Sequence, residues 1–185
     1  MEIILLRHGK PILPSLKKIN AFSFLNWIES YSSSSLCSTS LPSKKALSAA
    51  NKCNAIVCSE LLRSIESAKL LNVKNITLTH SCFNEAGLPN ASWRGLKLSP
   101  NVWAIIFRIL WLFGYSKNSE SFKEAKLRAK VSAKKLIELA EEHKNVLFVG
   151  HGIFNKLLAR QLISLGWSGS RNPSSQHWGF GVYEK

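Results

Sequence analysis

Apolar residues run without a break from Ile3 to Leu6, and the run stops at Arg7-His8-Gly9. A run this short, closed by a charge and a glycine, predicts a buried strand over residues 2–6. The pattern returns at Ala55–Cys58, at Ile76–Thr79 and at Val146–Val149, the last closed by Gly150-His151-Gly152. Between these runs the apolar positions follow helical spacing. Leu16, Ile19, Phe22, Leu25 and Ile28 suit a helix within 15–31, and Lys44–Lys52 reads as a short one. Leu61, Ile65, Ala68 and Leu71 share one face over Glu60–Leu71. A long amphipathic helix is predicted from a Ser119 cap to about His143, with Phe122, Leu127, Val131 and Leu136 turned inward. Another spans Ile153–Leu165 and stops at Gly166. Serine dominates 30–43, which reads as a loop, and Trp178–Glu184 alternates weakly, as a last strand at a sheet edge would.

Strands alternating with helices predict an α/β fold: a mostly parallel central sheet covered on both faces. No repeat or linker divides the chain, so residues 1–185 are expected to form one domain. An apolar helical insertion at about 90–118 is expected near the active site. Its core, 102–113, is broken only by Arg108. As a helix it would span roughly 18 Å, too short for a ~30 Å hydrocarbon core. In parallel sheets, ligands bind beyond the carboxyl ends of the strands. His8 and His151 both stand at such ends, so the topology lets them converge.

Composition narrows the chemistry. The formal net charge is +14, from 25 Lys and Arg against 11 acids, and every acid is a glutamate. The lack of aspartate removes mechanisms whose nucleophile is Asp, and the charge favours anionic partners. Cys37, Cys53, Cys58 and Cys82 show no metal-type or C-x-x-C spacing. A cysteine-phosphatase loop needs five residues between Cys and Arg, and too few separate Cys58 from Arg63. No G-x-x-x-x-G-K-[ST] loop occurs. The apolar opening is too short for a signal segment, so the thiols are expected to be reduced in a cytoplasmic protein.

Two histidines at strand ends, with two arginines, fit phosphoryl chemistry. Arginine offers a planar fork that meets two phosphate oxygens at once, and Arg7 and Arg63 are the candidates. Neighbouring guanidiniums favour the neutral imidazole that His8 needs to attack phosphorus, and His151 can donate to the phosphoryl oxygens. Glu85, on the loop after the Ile76–Thr79 run, is the carboxyl best placed to protonate a leaving oxygen and then to activate water. Glu66, one turn after Arg63, reads as a surface ion-pair partner. His80, His143 and His177 lack motif context and read as structural or exposed.

Leu5-Leu6-Arg7-His8-Gly9, Ser59-Glu60-Leu61-Leu62-Arg63 followed by Ser67-Ala68, Glu85, and Gly150-His151-Gly152 together resemble the histidine phosphatase superfamily, whose fold is phosphoglycerate mutase-like. The resemblance covers nearly the whole chain in the expected order. It implies a three-layer α/β/α sandwich with His8 as the phosphorylated nucleophile. It makes Arg7, Arg63 and His151 the phosphate pocket and Glu85 the proton donor, with no metal and no cofactor. Lys10-Pro11-Ile12 and Ser59-Glu60 depart from the family's usual residues, which bears on substrate choice. The chain is also shorter than cofactor-dependent mutases and lacks their Asn-bearing stretch, which favours a phosphatase.

The expected activity is metal-independent hydrolysis of a small phosphate monoester. The alternatives are a mutase-type phosphotransferase and a non-catalytic module for phospho-ligands or nucleic acid. Lysines are spread along the chain, so nucleic acid is not expected as a partner. For the Trp-rich segment from Trp93 to Trp111 the favoured reading is a helix that caps the site and gives the substrate an apolar neighbour. A homodimer contact and a membrane-surface helix stay open.

Overall fold

Strand β1 (Glu2–Arg7) buries Ile3, Ile4, Leu5 and Leu6 completely or nearly so, as a strand covered on both faces must. The computed structural model describes residues 1–73 and 75–185. After β1 come β2 (Ile19–Asn20), α1 (Ala21–Ser32), α2 (Lys44–Ala50), β3 (Ala55–Cys58), α3 (Leu62–Leu70) and β4 (Leu78–Thr79). A single 3-10 turn (Ser81–Phe83) leads to β5 (Lys97–Leu98), α4 (Pro100–Leu112), α5 (Phe122–His143), β6 (Asn145–Gly150), α6 (Gly152–Ser164), β7 (Ser168–Gly169) and β8 (Phe180–Glu184).

The main sheet has the order β4-β3-β6-β1-β8-β7. The first four strands run parallel, and β8 and β7 add antiparallel pairs. Successive side chains in a strand point to opposite faces, and the core divides accordingly. Ile3, Leu5, Val57, Val146 and Phe148 pack with α5 and α6. Ile4, Leu6, Ile56, Cys58, Leu147 and Val149 pack with Ala46, Ala49 and Ala50 of α2 and Ala68 of α3. These are the three layers. A third cluster lies apart: Ala21 and Phe24 of α1 close on Ala91 and on Trp103 and Phe107 of α4, beside the small β2–β5 pair. The apolar insertion therefore builds a cap jointly with α1.

Several sequence expectations need correction. Asn20 caps α1 by accepting from the Ser23 N–H at 2.9 Å, so Leu16 precedes the helix and Ile19 lies in β2. The long helix is capped by Ser121, which forms a reciprocal capping box with Glu124. Its inner face is Ala125, Ala129, Ser132, Ala133, Leu136 and Ala140, while Leu127 and Val131 are 56% and 54% exposed. Alanines carry little weight in a hydrophobicity pattern, yet their small size is what lets α5 sit close to the sheet. β8 is an inner strand between β1 and β7, because the two-residue β7, which has no apolar signature, takes the edge. Glu66 accepts from the Leu36 N–H at 2.6 Å and so ties down the serine loop, leaving no ion pair with Arg63 among the described residues.

Candidate active site

Register brings the two histidines together. Arg7 pairs with Gly150 across β1 and β6, so the next residues, His8 and His151, leave the sheet side by side. The His8 N–H donates to the Gly150 carbonyl at 3.0 Å. The two rings stand 5.0 Å apart in an edge arrangement, and both residues are buried.

His8 Nδ1 lies 2.6 Å from the Gly9 carbonyl oxygen. A carbonyl can only accept, so Nδ1 carries the proton and the lone pair sits on Nε2. Burial, then the charges of Arg63 and Arg7, hold the imidazole well below its ordinary pKa, although the Gly9 bond pulls the other way. Gly9 has no room for a side chain, since a Cβ there would meet the Trp178 ring at 2.4 Å. Its N–H donates to Ser67 Oγ at 2.9 Å, and that hydroxyl donates to the Arg63 carbonyl. The His8–Gly9 turn is therefore tied to α3.

His151 is held by its neighbours in the same way. Its Nε2 is 2.7 Å from Ser59 Oγ at the end of β3, and its N–H donates to Asn155 Oδ1 at 3.2 Å. Burial and then the charges of His8, Arg63 and Arg7 depress its pKa too. Arg63 donates through Nη1 to the Tyr31 and Ser32 carbonyls at 3.1 and 3.2 Å, the C-terminal end of α1, and lies over the Tyr31 ring at 4.8 Å. Arg7 donates to the Ser175 carbonyl. Arg7 Nε, Arg63 Nε and His151 Nδ1 are buried and make no hydrogen bond among the described residues. Buried polar groups are ordinarily paired, and in a cluster this basic an anion would suit all three.

Glu85 reaches the cluster from the other side. Its Oε1 accepts from the Ala86 and Phe154 N–H groups, both at 2.9 Å, and Oε2 from the Ile153 N–H at 3.2 Å. The side-chain carboxyl group thus sits on the N-terminal turn of α6. Two arginines fix its loop. Arg108 of α4 donates to the Gly87 and Ala86 carbonyls at 3.1 and 2.9 Å. Arg128 of α5 donates to the Cys82 and Asn84 carbonyls, both at 2.8 Å, and pairs with Glu120.

The five residues read from sequence therefore fall in one region. Of the glutamates flanking Arg63, Glu60 is exposed and Glu66 holds the Leu36 N–H. His80 caps the 3-10 turn and His143 faces solvent beside Glu142. His177, read as structural or exposed, stands beside the cluster. Its ring lies 5.5 Å from that of His8, half-buried, with Nδ1 3.1 Å from the His8 carbonyl. Only the antiparallel return of β8 beside β1 brings it there, and local sequence carries no sign of that pairing. Arg108 did carry a signal, as the lone charge in an apolar helix. The aromatic ring against Arg63 comes from α1: it is Tyr31, on which Trp27 stacks at 5.3 Å, and α4 supports this row through the 5.4 Å Phe107–Phe24 stack.

Residues 43–179 match the sequence model of the histidine phosphatase superfamily (branch 1). That stretch holds Arg63, Glu85 and His151, while Arg7 and His8 precede it. No curated protein sequence matches the chain. Among solved structures, a phosphoglycerate mutase from Bacillus anthracis superposes with a TM-score of 0.63 at 19% identity, over 100% of this chain and 88% of its own. A putative alpha-ribazole-5'-P phosphatase from Escherichia coli gives 0.59 at 19% identity, over 88% and 80%. A mycobacterial glucosyl-3-phosphoglycerate phosphatase gives 0.58 at 18% identity, over 88% and 79%. At such identities the likeness is one of fold.

Proposed function

The chain belongs to the histidine phosphatase superfamily, and from that premise we propose that it hydrolyses a phosphate monoester through a phosphohistidine at His8. One observation carries the reading: the 2.6 Å bond from His8 Nδ1 to the Gly9 carbonyl leaves Nε2 unprotonated in a pocket with two guanidiniums. That is the state a nitrogen nucleophile needs.

The substrate phosphate takes hydrogen bonds from Arg7, Arg63 and His151. Ser59 can donate its proton to His151 Nε2, which leaves Nδ1–H free to donate to the phosphate. His8 Nε2 forms a bond to phosphorus as the ester P–O bond breaks. The leaving oxygen takes a proton from the Glu85 carboxyl. Oε2, with its single 3.2 Å contact, is the oxygen free to turn toward it, while Oε1 stays anchored by two N–H groups. In the second step water attacks phosphorus, the P–N bond breaks, and the carboxylate recovers its proton from the water. No metal takes part. Tyr31 and Trp27 beside Arg63 favour a small substrate with an apolar or aromatic group next to its phosphate.

The test is hydrolysis of p-nitrophenyl phosphate in excess chelator. The wild type turns it over, and His8→Ala loses at least about a thousandfold. Retained activity in that variant would refute the assignment of the nucleophile.

A further inference from the structure

Helix α4 has two apolar faces. Trp103, Phe107 and Trp111, four residues apart, are buried in the cap and against α5. The opposite stripe, Val102, Ile105, Ile109 and Leu112, repeats at three and four residues and is continued by Phe113 at the C-cap; it stays in water, from 41% exposed at Val102 to 87% at Phe113. A single exposed apolar residue needs no explanation, but four in register along one helix, with a fifth at its C-cap, do. At 13 residues the helix is about 20 Å long, too short to span a bilayer but ample to lie in its surface.

Charge identifies what the stripe meets. Cations stand at both ends of α4 and none lies within the stripe. Arg94, stacked on Phe22 at 4.6 Å, and Lys97 on β5 precede the helix. Lys117 and Lys126 follow it, both exposed, and Lys117 also donates to Ser92 Oγ at 3.2 Å. The only acids between residues 94 and 135 are Glu120 and Glu124, the first paired with Arg128 and the second held in the cap of α5. A second copy docking on this face would set like charges against each other in a chain of net charge +14. A surface of anionic lipid satisfies stripe and cations together.

We propose that the α4 stripe docks this protein on anionic bilayer surfaces, with its apolar side chains in the interface and the flanking lysines and arginines on the headgroups. This goes beyond the proposed phosphatase reading and does not depend on it.

The test is co-sedimentation of the full chain with vesicles of phosphatidylglycerol and phosphatidylcholine, against vesicles of phosphatidylcholine alone. The wild type is expected to partition onto the anionic vesicles at low salt and to leave them at high salt. Ile105→Glu with Ile109→Glu should lower the partition roughly tenfold or more, and so should Lys117→Glu with Lys126→Glu. Unchanged thermal unfolding in these variants shows that the fold is retained. Failure of the wild type to bind anionic vesicles overturns the proposal, as does undiminished binding by the Ile105/Ile109 variant. So does a lipid-free dimer, seen by sedimentation velocity, that this variant dissociates, since the stripe would then be an interface between copies.

Discussion

A buried imidazole beside two guanidiniums makes a pH-dependent contribution with a definite sign. Burial first, then the arginines, lower the pKa of both His8 and His151 in the folded protein. The unfolded chain therefore binds the extra protons as pH falls through about 6.5, and the folded chain does not. Stability is complete above that pH and is lost progressively below it. The thermal unfolding midpoint should accordingly fall between pH 7 and pH 5, and His151→Asn should flatten the slope. A midpoint flat across that window would contradict the neutral state of the rings. The same shift places the acid limb of kcat/KM well below pH 6.5, because His8 keeps its lone pair there. At Glu85, loss of the exchangeable proton in Glu85→Gln should cost about 10²–10⁴ in kcat on an alkyl phosphate. The loss should be much smaller on p-nitrophenyl phosphate, whose leaving group needs no proton. Equal losses on both substrates would point to a structural role in holding α6. His8, His151, Arg63 and Glu85 were legible because each stands at or just beyond a strand end that the apolar runs mark. His177 was not, since a contact made across the sheet leaves no local trace.

At the scale of elements, the sequence marks strands by apolar runs and helices by period, but not which strands pair or which helix face is inner. Ala55–Cys58 matched because a four-residue apolar run bounded by polar residues has one reading. The inner face of α5 was missed because alanines build it, and β7 because two polar residues carry no pattern. Two substitutions test the local account. Ser121→Ala removes the capping-box hydroxyl of α5 and should cost about 1 kcal/mol of unfolding free energy with activity intact. Gly9→Ala drives a Cβ against the Trp178 ring, whose backbone already holds a φ of +63°. It should cost about 1–3 kcal/mol and also displace His8, so activity should fall with stability. Unchanged activity in Gly9→Ala would show that the nucleophile does not rely on the Trp178 buttress.

Across the whole molecule, six strands in two layers of helices leave one end of the sheet free, and the chain uses that end for every group in the proposed mechanism. α1 and α4 then lay aromatic rings beside it and turn an apolar stripe outward. Because three buried nitrogens in the cluster lack partners among the described residues, an anion bound there should stabilise the fold by mass action. Inorganic phosphate at about a hundred times its dissociation constant should add about 2.7 kcal/mol. Arg63→Ala should abolish most of that gain. The most direct measurement of the central claim is rapid acid-free quenching of the wild type during turnover, followed by peptide mass spectrometry. The account predicts one phosphoryl group on the peptide bearing His8, stable in alkali, lost in mild acid and missing from His8→Ala. A phosphoryl group carried on any other residue, or turnover with no phosphoenzyme under conditions that trap one, would contradict it.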